Sequence, residues 1–327
     1  MTWKRQGCIS KLIRHNRQQC PVVDIDNDGF WRIYYSHRDA FNRSYISYFD
    51  VEPGYPDNIL DFGFSFVLQH GKVGQVDTAG VMATSIMTID DTKFLYYIGW
   101  SKRTDVPYFN TTCLATYKIG DEIDWGYRCG ITPNFIKQGP ILSPDLIDSG
   151  YSGTMRPFYD YDTNRYYGFY LSCNDWININ DIQEPIYDIK RAHSLDGYKW
   201  HKDGITSLPL GEGEGGISST NIIQEGSDLS KAISYKMWFS VRGKDNFRRG
   251  IKDDKTYRIK YAESIDLVNW ERGKDESLFL LPTEDPYDWD GIMTCYPYII
   301  EYQGTLFMFY NGNGFGQSGI GYATYEY

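Results

Sequence analysis

Tyr187-Asp188-Ile189-Lys190-Arg191-Ala192-His193-Ser194-Leu195-Asp196-Gly197-Tyr198-Lys199-Trp200 returns, 70 residues later, as Tyr257-Arg258-Ile259-Lys260-Tyr261-Ala262-Glu263-Ser264-Ile265-Asp266-Leu267-Val268-Asn269-Trp270. Both copies fit Y-x-I-x-x-A-x-S-x-D-x-x-x-W. Residues alternate as in a strand up to Ala192 and Ala262, the Ser-x-Asp step supplies a turn, and the chain restarts as a strand at Trp200 and Trp270. Each copy predicts two antiparallel strands joined by a tight turn. Asp196 and Asp266 read as turn closers, since a short acidic side chain can bond the backbone that follows it. A hairpin repeated at this distance predicts the blades of a β-propeller.

An aromatic strand precedes each hairpin and recurs five times, at Trp31–Tyr35, Phe94–Ile98, Tyr166–Tyr170, Lys236–Ser240 and Leu306–Tyr310. Five copies predict five blades. The last copy stops near Ala323 without a following Ser-x-Asp turn or Trp strand, while Thr2-Trp3-Lys4-Arg5 looks like the strand that begins at Trp200 or Trp270. The expectation is an all-β, five-bladed β-propeller spanning 1–327 as one domain, its last blade closed by the N-terminal strand. Such closure leaves no open sheet edge.

Composition agrees. Tyr 29, Phe 17 and Trp 9 with Gly 32 describe an aromatic, turn-rich chain. A net charge of −10 with dispersed basic residues argues against a nucleic-acid partner. No apolar run approaches the roughly 20 residues of a membrane span, and the N-terminus lacks the apolar core of a signal peptide, so a cytoplasmic protein without a membrane partner is expected. The six cysteines, at positions 8, 20, 113, 129, 173 and 295, form no C-x-x-C pair and read as reduced thiols.

In a propeller the innermost strand of each blade faces the central channel, so residues just ahead of the aromatic strands are the candidates for chemistry. In these segments and in its repeat, the sequence resembles the five-bladed propellers of the arabinanase, levansucrase and invertase superfamily, similar to glycoside hydrolase families 43 and 32. The resemblance rests on the A-x-S-x-D-x-x-x-W turn, the aromatic strand Tyr96 to Trp100 and the step Glu214-Gly215 opening a blade. It implies a carbohydrate or activated-sugar ligand and chemistry on a glycosidic bond by carboxylates around the channel. One carboxylate must deliver a proton to the leaving oxygen and the other must be ionised.

By that resemblance Glu214 is the general acid, and Asp77 and Asp290 are candidates for base, nucleophile or orienting group. The sequence departs from the pattern at Pro21-Val22-Val23-Asp24 and at Met155-Arg156-Pro157, where the superfamily shows acids. Arg156 suits a carboxylate or phosphate. His37, Arg38 and Arg242 follow aromatic strands and join it as substrate-binding candidates, with Trp100 and Tyr296 offering faces for a sugar ring. A phosphorylase, pairing one carboxylic acid with cations that hold phosphate, and a binding propeller without catalysis are the alternatives. No cofactor is implied, although a structural calcium ion in the channel is compatible with the resemblance, and oligomeric state is open.

Overall fold

The structure, a computed structural model, describes residues 2–25, 29–63, 65–120, 129–225, 234–248, 250 and 255–326. Twenty strands account for nearly all regular structure among them. After β1 (Lys4–Cys8) the polypeptide lays down β2 (Asn16–Asp24), β3 (Trp31–Arg38), β4 (Ser44–Glu52) and β5 (Tyr55–Phe62) as an antiparallel group. The pattern repeats with β6 (Gly80–Ile89), β7 (Thr92–Ser101), β8 (Phe109–Lys118) and β9 (Ile136–Leu142). It repeats again with β10 (Ser152–Asp160), β11 (Arg165–Ile179), β12 (Ile182–Ser194) and β13 (His201–Leu208). Next come β14 (Glu214–Glu225), β15 (Ser234–Gly243), β16 (Arg258–Ser264) and β17 (Glu271–Arg272).

The last strands are β18 (Cys295–Tyr302), β19 (Thr305–Asn311) and β20 (Ile320–Glu326), and β1 pairs antiparallel with β20, Lys4 opposite Thr324. The N-terminal strand thus completes the C-terminal sheet, as the sequence predicts. Single parallel bridges, Ser44 to Gly80 and Tyr187 to Gly216, merge neighbouring groups into larger sheets. This all-β arrangement of several sheets is consistent with a β-propeller. The aromatic strands form the cores: Trp31, Tyr34, Tyr96, Tyr170, Trp238 and Tyr310 are each at most 2% exposed. The Ser-x-Asp turns close as expected, with Asp196 Oδ1 accepting from the backbone N–H of Tyr198 and Lys199 and Asp266 Oδ1 from those of Val268 and Asn269, all at 2.8 Å.

Two sets of polar contacts order the groups. The first runs from the connection ahead of an innermost strand, or from that strand's first residue, to a cation on the outermost strand of the same group. Asp77 meets Lys137 of β9 at 2.5 Å, Asp148 meets Lys202 of β13 at 3.5 Å, Glu214 meets Arg272 of β17 at 2.7 Å, and Asp290 meets Arg5 of β1 at 2.9 Å. Each cation also donates to a carbonyl of that connection, from Gln69, Ser143, Pro209 and Leu281 in turn. The group β2–β5 departs from this pattern: ahead of β2 stands His15, whose Nδ1 is 2.7 Å from the Tyr35 hydroxyl.

The second set ties the innermost strand of one group to the first or second strand of its neighbour. Ala83 N–H donates to Ser36 Oγ, Ser85 Oγ to Met155 O, Ser219 N–H to Thr154 Oγ1, Tyr296 N–H to Ser240 Oγ, and Cys20 N–H to Asn311 Oδ1, at 2.7–3.0 Å. The circuit is complete. Each satisfies a backbone group that a register shift has freed: all five innermost strands carry such shifts, between Gln19/Val22, Ala83/Ser85, Ser152/Met155, Ser218/Asn221 and Cys295/Tyr298.

The Asp148 clamp is the most enclosed, with the acid's side chain 1% exposed and that of Lys202 5% exposed, and Asp148 also binds Lys190, Tyr170 and Ser172. Removing it takes the buried carboxylate from both Lys190 and Lys202, the latter keeping the more exposed Asp145 at 3.2 Å. Asp148→Ala is expected to lower the unfolding free energy by about 3–5 kcal/mol in urea denaturation, whereas loss of under about 1 kcal/mol would mean that the clamp carries no net stability.

Candidate functional site

The register shifts turn Cys20, Thr84, Thr154, Ser219 and Tyr296 toward a narrow axial space of about 10 Å³, room for one water, which Arg156 also lines. Cys20, Ser219 and Tyr296 take positive φ of 53°, 52° and 58°, a strained setting for residues with a Cβ. Above this constriction opens a cavity of about 330 Å³.

Its wall is aromatic and cationic. Trp100, Tyr108, Tyr151, Tyr187, Tyr257 and Tyr296 contribute rings, joined by Phe247 and by Phe315, which reaches the lip from a left-handed turn at φ 57°. Arg17, Arg38, Lys102 and Arg248 contribute charge, and no Asp or Glu among the described residues lines it. Arg38 Nε donates to Gln19 Oε1 at 3.4 Å and its Nη1 to Asn42 O at 3.0 Å, while its guanidinium lies 5.0 Å from the Trp100 ring. Burial, and after it the adjacent Arg17, make Arg38 a weaker base than a free arginine. Trp100 is fixed by its indole N–H on Ser44 Oγ at 2.7 Å.

Of the predicted site residues, Arg38, Trp100 and Tyr296 come together in this cavity, with Arg156 below them. Arg156 stacks on Tyr298 at 3.4 Å and donates to Ile299 O at 3.3 Å. Arg242 stands behind the wall, its Nε donating to the Tyr187 hydroxyl at 2.9 Å. His37 lies elsewhere, in an aromatic stack with His15 at 3.9 Å and hydrogen-bonded with Ser47 at 3.0 Å.

The three predicted carboxylates line neither the cavity nor the constriction. Asp77, Glu214 and Asp290 are clamp acids, each turned to the outermost strand of its group. The physical reason is distance along the polypeptide. Asp77 precedes β6 by three residues, Glu214 is four residues before Ser218, and Asp290 is five before Cys295. At Asp77 and Asp290 the backbone is still crossing from the outer edge of one group to the inner strand of the next, and Glu214, the first residue of β14, sits opposite Gly243 ahead of the register shift. Residues at the register shifts, not those that open the segment, reach the channel.

Among the described residues one acid is hydrogen-bonded to a lining side chain. Glu184, 6% exposed, accepts from Arg248 Nε and Nη2 at 2.8 and 3.0 Å. Sequence reading missed Glu184, Arg17, Lys102 and Arg248, which stand in no recognisable motif. It also passed over Tyr187 and Tyr257, whose hydroxyls bond to each other; their signal was present, since both occupy the first position of the repeat. Among the described residues no group of three or more His, Cys, Asp or Glu could hold a metal ion, and no helix is long and apolar enough to cross a membrane.

No protein-family model matches the sequence. Among curated proteins it is similar to two uncharacterized proteins of Mycobacterium tuberculosis, strains CDC 1551 / Oshkosh and H37Rv, each 29% identical over 333 residues and aligned along 100% of both proteins. Among solved structures it resembles a "Glycoside hydrolase" with TM-score 0.68 and 17% identity, covering 98% of this protein and 92% of the other. It resembles a catalytic domain of a Coprinopsis cinerea GH62 alpha-L-arabinofuranosidase with TM-score 0.60 and 13% identity, covering 99% and 96%. A third, described under "The GH130 family of mannoside phosphorylases", has TM-score 0.61 and 14% identity, covering 95% and 84%. At these identities the likeness is one of fold.

His37, away from the cavity, gives the folded protein a pH-dependent stability. Burial foremost, then the neighbouring His15, hold its pKa down to about 3, against about 6.5 in an unfolded chain. Because the folded value is depressed, His37 costs no stability above about pH 6.5 and drains it as pH falls toward 3, by up to about 1.4 kcal/mol per pH unit. His37→Phe is expected to flatten the acid limb of stability in that window, measured by urea unfolding at pH 7 and pH 5; an unchanged slope would remove His37 as its source.

Proposed function

We propose that this protein is a carbohydrate-active enzyme that works on a glycosidic bond in the central cavity of a single-domain, five-bladed propeller. The observation that carries the reading is the cavity: it lies where all innermost strands converge, is walled by aromatic faces suited to sugar rings, and belongs to a fold shared with glycoside hydrolases. The five groups of strands, the last including β1, are the five blades.

Chemistry by a pair of cavity carboxylates would draw on Glu214, Asp77 and Asp290, and their engagement with Arg272, Lys137 and Arg5 argues against it. The acid that remains is Glu184, which does not itself line the cavity but is held by the lining residue Arg248. Its partner Arg248 has a side chain 49% exposed, so a ligand oxygen can compete for the guanidinium fork and free the carboxyl group. We assign Glu184 the proton transfer to the leaving oxygen. A reaction that needs one protein carboxylate and a separate nucleophile, water or phosphate, fits this inventory. The absence of lining acids among the described residues equally favours a second reading, a saccharide-binding propeller without turnover.

Product detection with a panel of glycosides and oligosaccharides, each with and without inorganic phosphate, tests the assignment. Glu184→Gln is expected to lose about 10²–10⁴-fold in turnover while keeping ligand affinity; Glu214→Gln is expected to lose stability and keep turnover within a few-fold. Loss of turnover in a stable Glu214→Gln protein would return the acid role to Glu214. No turnover by the unaltered protein, with saccharides raising its melting temperature, would establish the binding reading.

A further inference from the structure

We infer that the ligand of the central cavity carries a phosphate group, seated between Arg17, Arg38 and Lys102. The inference rests on the cavity being the saccharide site and names the class of ligand it takes.

Charge distribution is the first argument. The protein has a formal net charge of −10, yet four cations and no acid among the described residues face this one cavity, and a fifth, Arg156, stands in the constriction beneath. A concave, low-dielectric wall of one sign focuses potential and draws in the opposite charge. Among the described residues no carboxylate pairs with Arg17, Arg38, Lys102 or Arg156. Elsewhere the protein pairs its enclosed cations, as Arg32 does with Asp50 and Lys93 with Asp24. Arg17 and Arg38, both partly buried, and Arg156 below them break that rule at the cavity, where Lys102 adds an exposed cation at the rim; Arg242, buried behind the same wall, is likewise held by carbonyls and a phenol.

Geometry is the second. Arg17 takes φ 55°, a left-handed conformation that costs a residue with a Cβ energy, beside the register shift between Asn16 and Gln19. That turn brings Arg17 to the same cavity wall as Arg38, so like charges are brought together and left without an acid. Two guanidiniums facing one space repel until an anion bridges them, and two forks plus an ammonium match a dianion with three free oxygens better than a single carboxylate. The aromatic faces of Trp100 and Tyr108 beside them leave room for the sugar.

Phosphate can arrive as an ester on the sugar or as a free co-substrate. In the second case its oxygen attacks the anomeric carbon, the glycosidic bond breaks with its electron pair on the leaving oxygen, and that oxygen takes the proton assigned to Glu184, so sugar phosphate and free alcohol result.

Calorimetric titration with inorganic phosphate, a hexose 1-phosphate, a hexuronate and the neutral hexose, at low and high salt, tests the inference. A phosphate-bearing ligand is expected to bind at least tenfold tighter than the neutral sugar, more weakly at high salt, and to lose at least tenfold in Arg17→Gln and in Arg38→Gln. The Arg17 side chain makes no hydrogen bond among the described residues, so its substitution leaves no side-chain partner orphaned and guards against a folding defect in the Arg38 variant. Tight binding of inorganic phosphate alone identifies the co-substrate form, and binding of the ester alone identifies the substituent. Neutral sugar binding as tightly as its phosphate, or affinity indifferent to both arginines, would overturn the inference while leaving the saccharide site standing. Arginine-dependent phosphate binding without turnover of any glycoside would instead overturn the enzyme reading alone.

Discussion

An acid ahead of the innermost strand gripping a cation on the outermost strand is the contact on which this architecture depends. Each group of strands is twisted and narrow, and its inner and outer edges have no backbone hydrogen bonds in common. Asp77–Lys137, Asp148–Lys202, Glu214–Arg272 and Asp290–Arg5 span that width, and the second donation from each cation to a carbonyl holds the connecting segment against the group it enters. A single ion pair at a surface is worth little. These are charge-assisted, half enclosed and repeated, so what each contributes is geometry as much as energy: the connection is fixed, and with it the point at which the polypeptide turns into the channel. In the last group the same contact joins the two ends of the sequence, since Arg5 belongs to β1.

The clamps also divide the protein's charge. Acids that open the inner strands are drawn outward to cations on the rims, which leaves the axis to whatever the register shifts present. What they present is backbone held by Ser36, Thr154, Ser240 and Asn311, together with aromatic rings and arginines. An acidic protein thereby acquires a positive cavity. Local potential is set by placement, and net charge does not predict it.

Architecture was legible because repeated strands bury the same kinds of residue. The aromatic strands, the Ser-x-Asp turns and the completion of the C-terminal sheet by residues near Trp3 follow from period and composition, and burial of Trp31, Tyr170 and Tyr310 enforces them. The site was legible only in part. Arg38, Trp100 and Tyr296 end aromatic strands or open an innermost one, and that position is what brings them to one cavity wall. Glu214, Asp77 and Asp290 misled because an acid at the head of an inner strand suits a clamp as well as a catalyst, and no sequence pattern separates the two. Arg17 and Glu184 were invisible: one depends on a left-handed turn and the other on a partner 64 residues away.

Repetition has a further consequence in the cavity wall. Residues that hold the same place in successive groups point at the same axis, so a separation of 70 residues in sequence becomes a hydrogen bond between Tyr187 and Tyr257. Arg242 completes the unit, giving Nε to the Tyr187 hydroxyl at 2.9 Å and its remaining edges to Gly243 O and Pro185 O at 2.9 and 2.6 Å. Carbonyls satisfy its donors without cancelling its charge, and the Phe247 ring at 3.8 Å covers one face. Burial opposes that charge, but the phenols of Tyr187 and Tyr257 outweigh burial and hold its pKa above that of a free arginine. The wall behind the two tyrosines is therefore a fixed positive charge, reached from the cavity through their hydroxyls. Burial makes the Tyr257 phenol a weaker acid than one in water, and both hydroxyls belong to a wall whose charged groups, among the described residues, are cations. The same periodicity that builds the fold aims these hydroxyls, with the arginines, at negative charge on the axis.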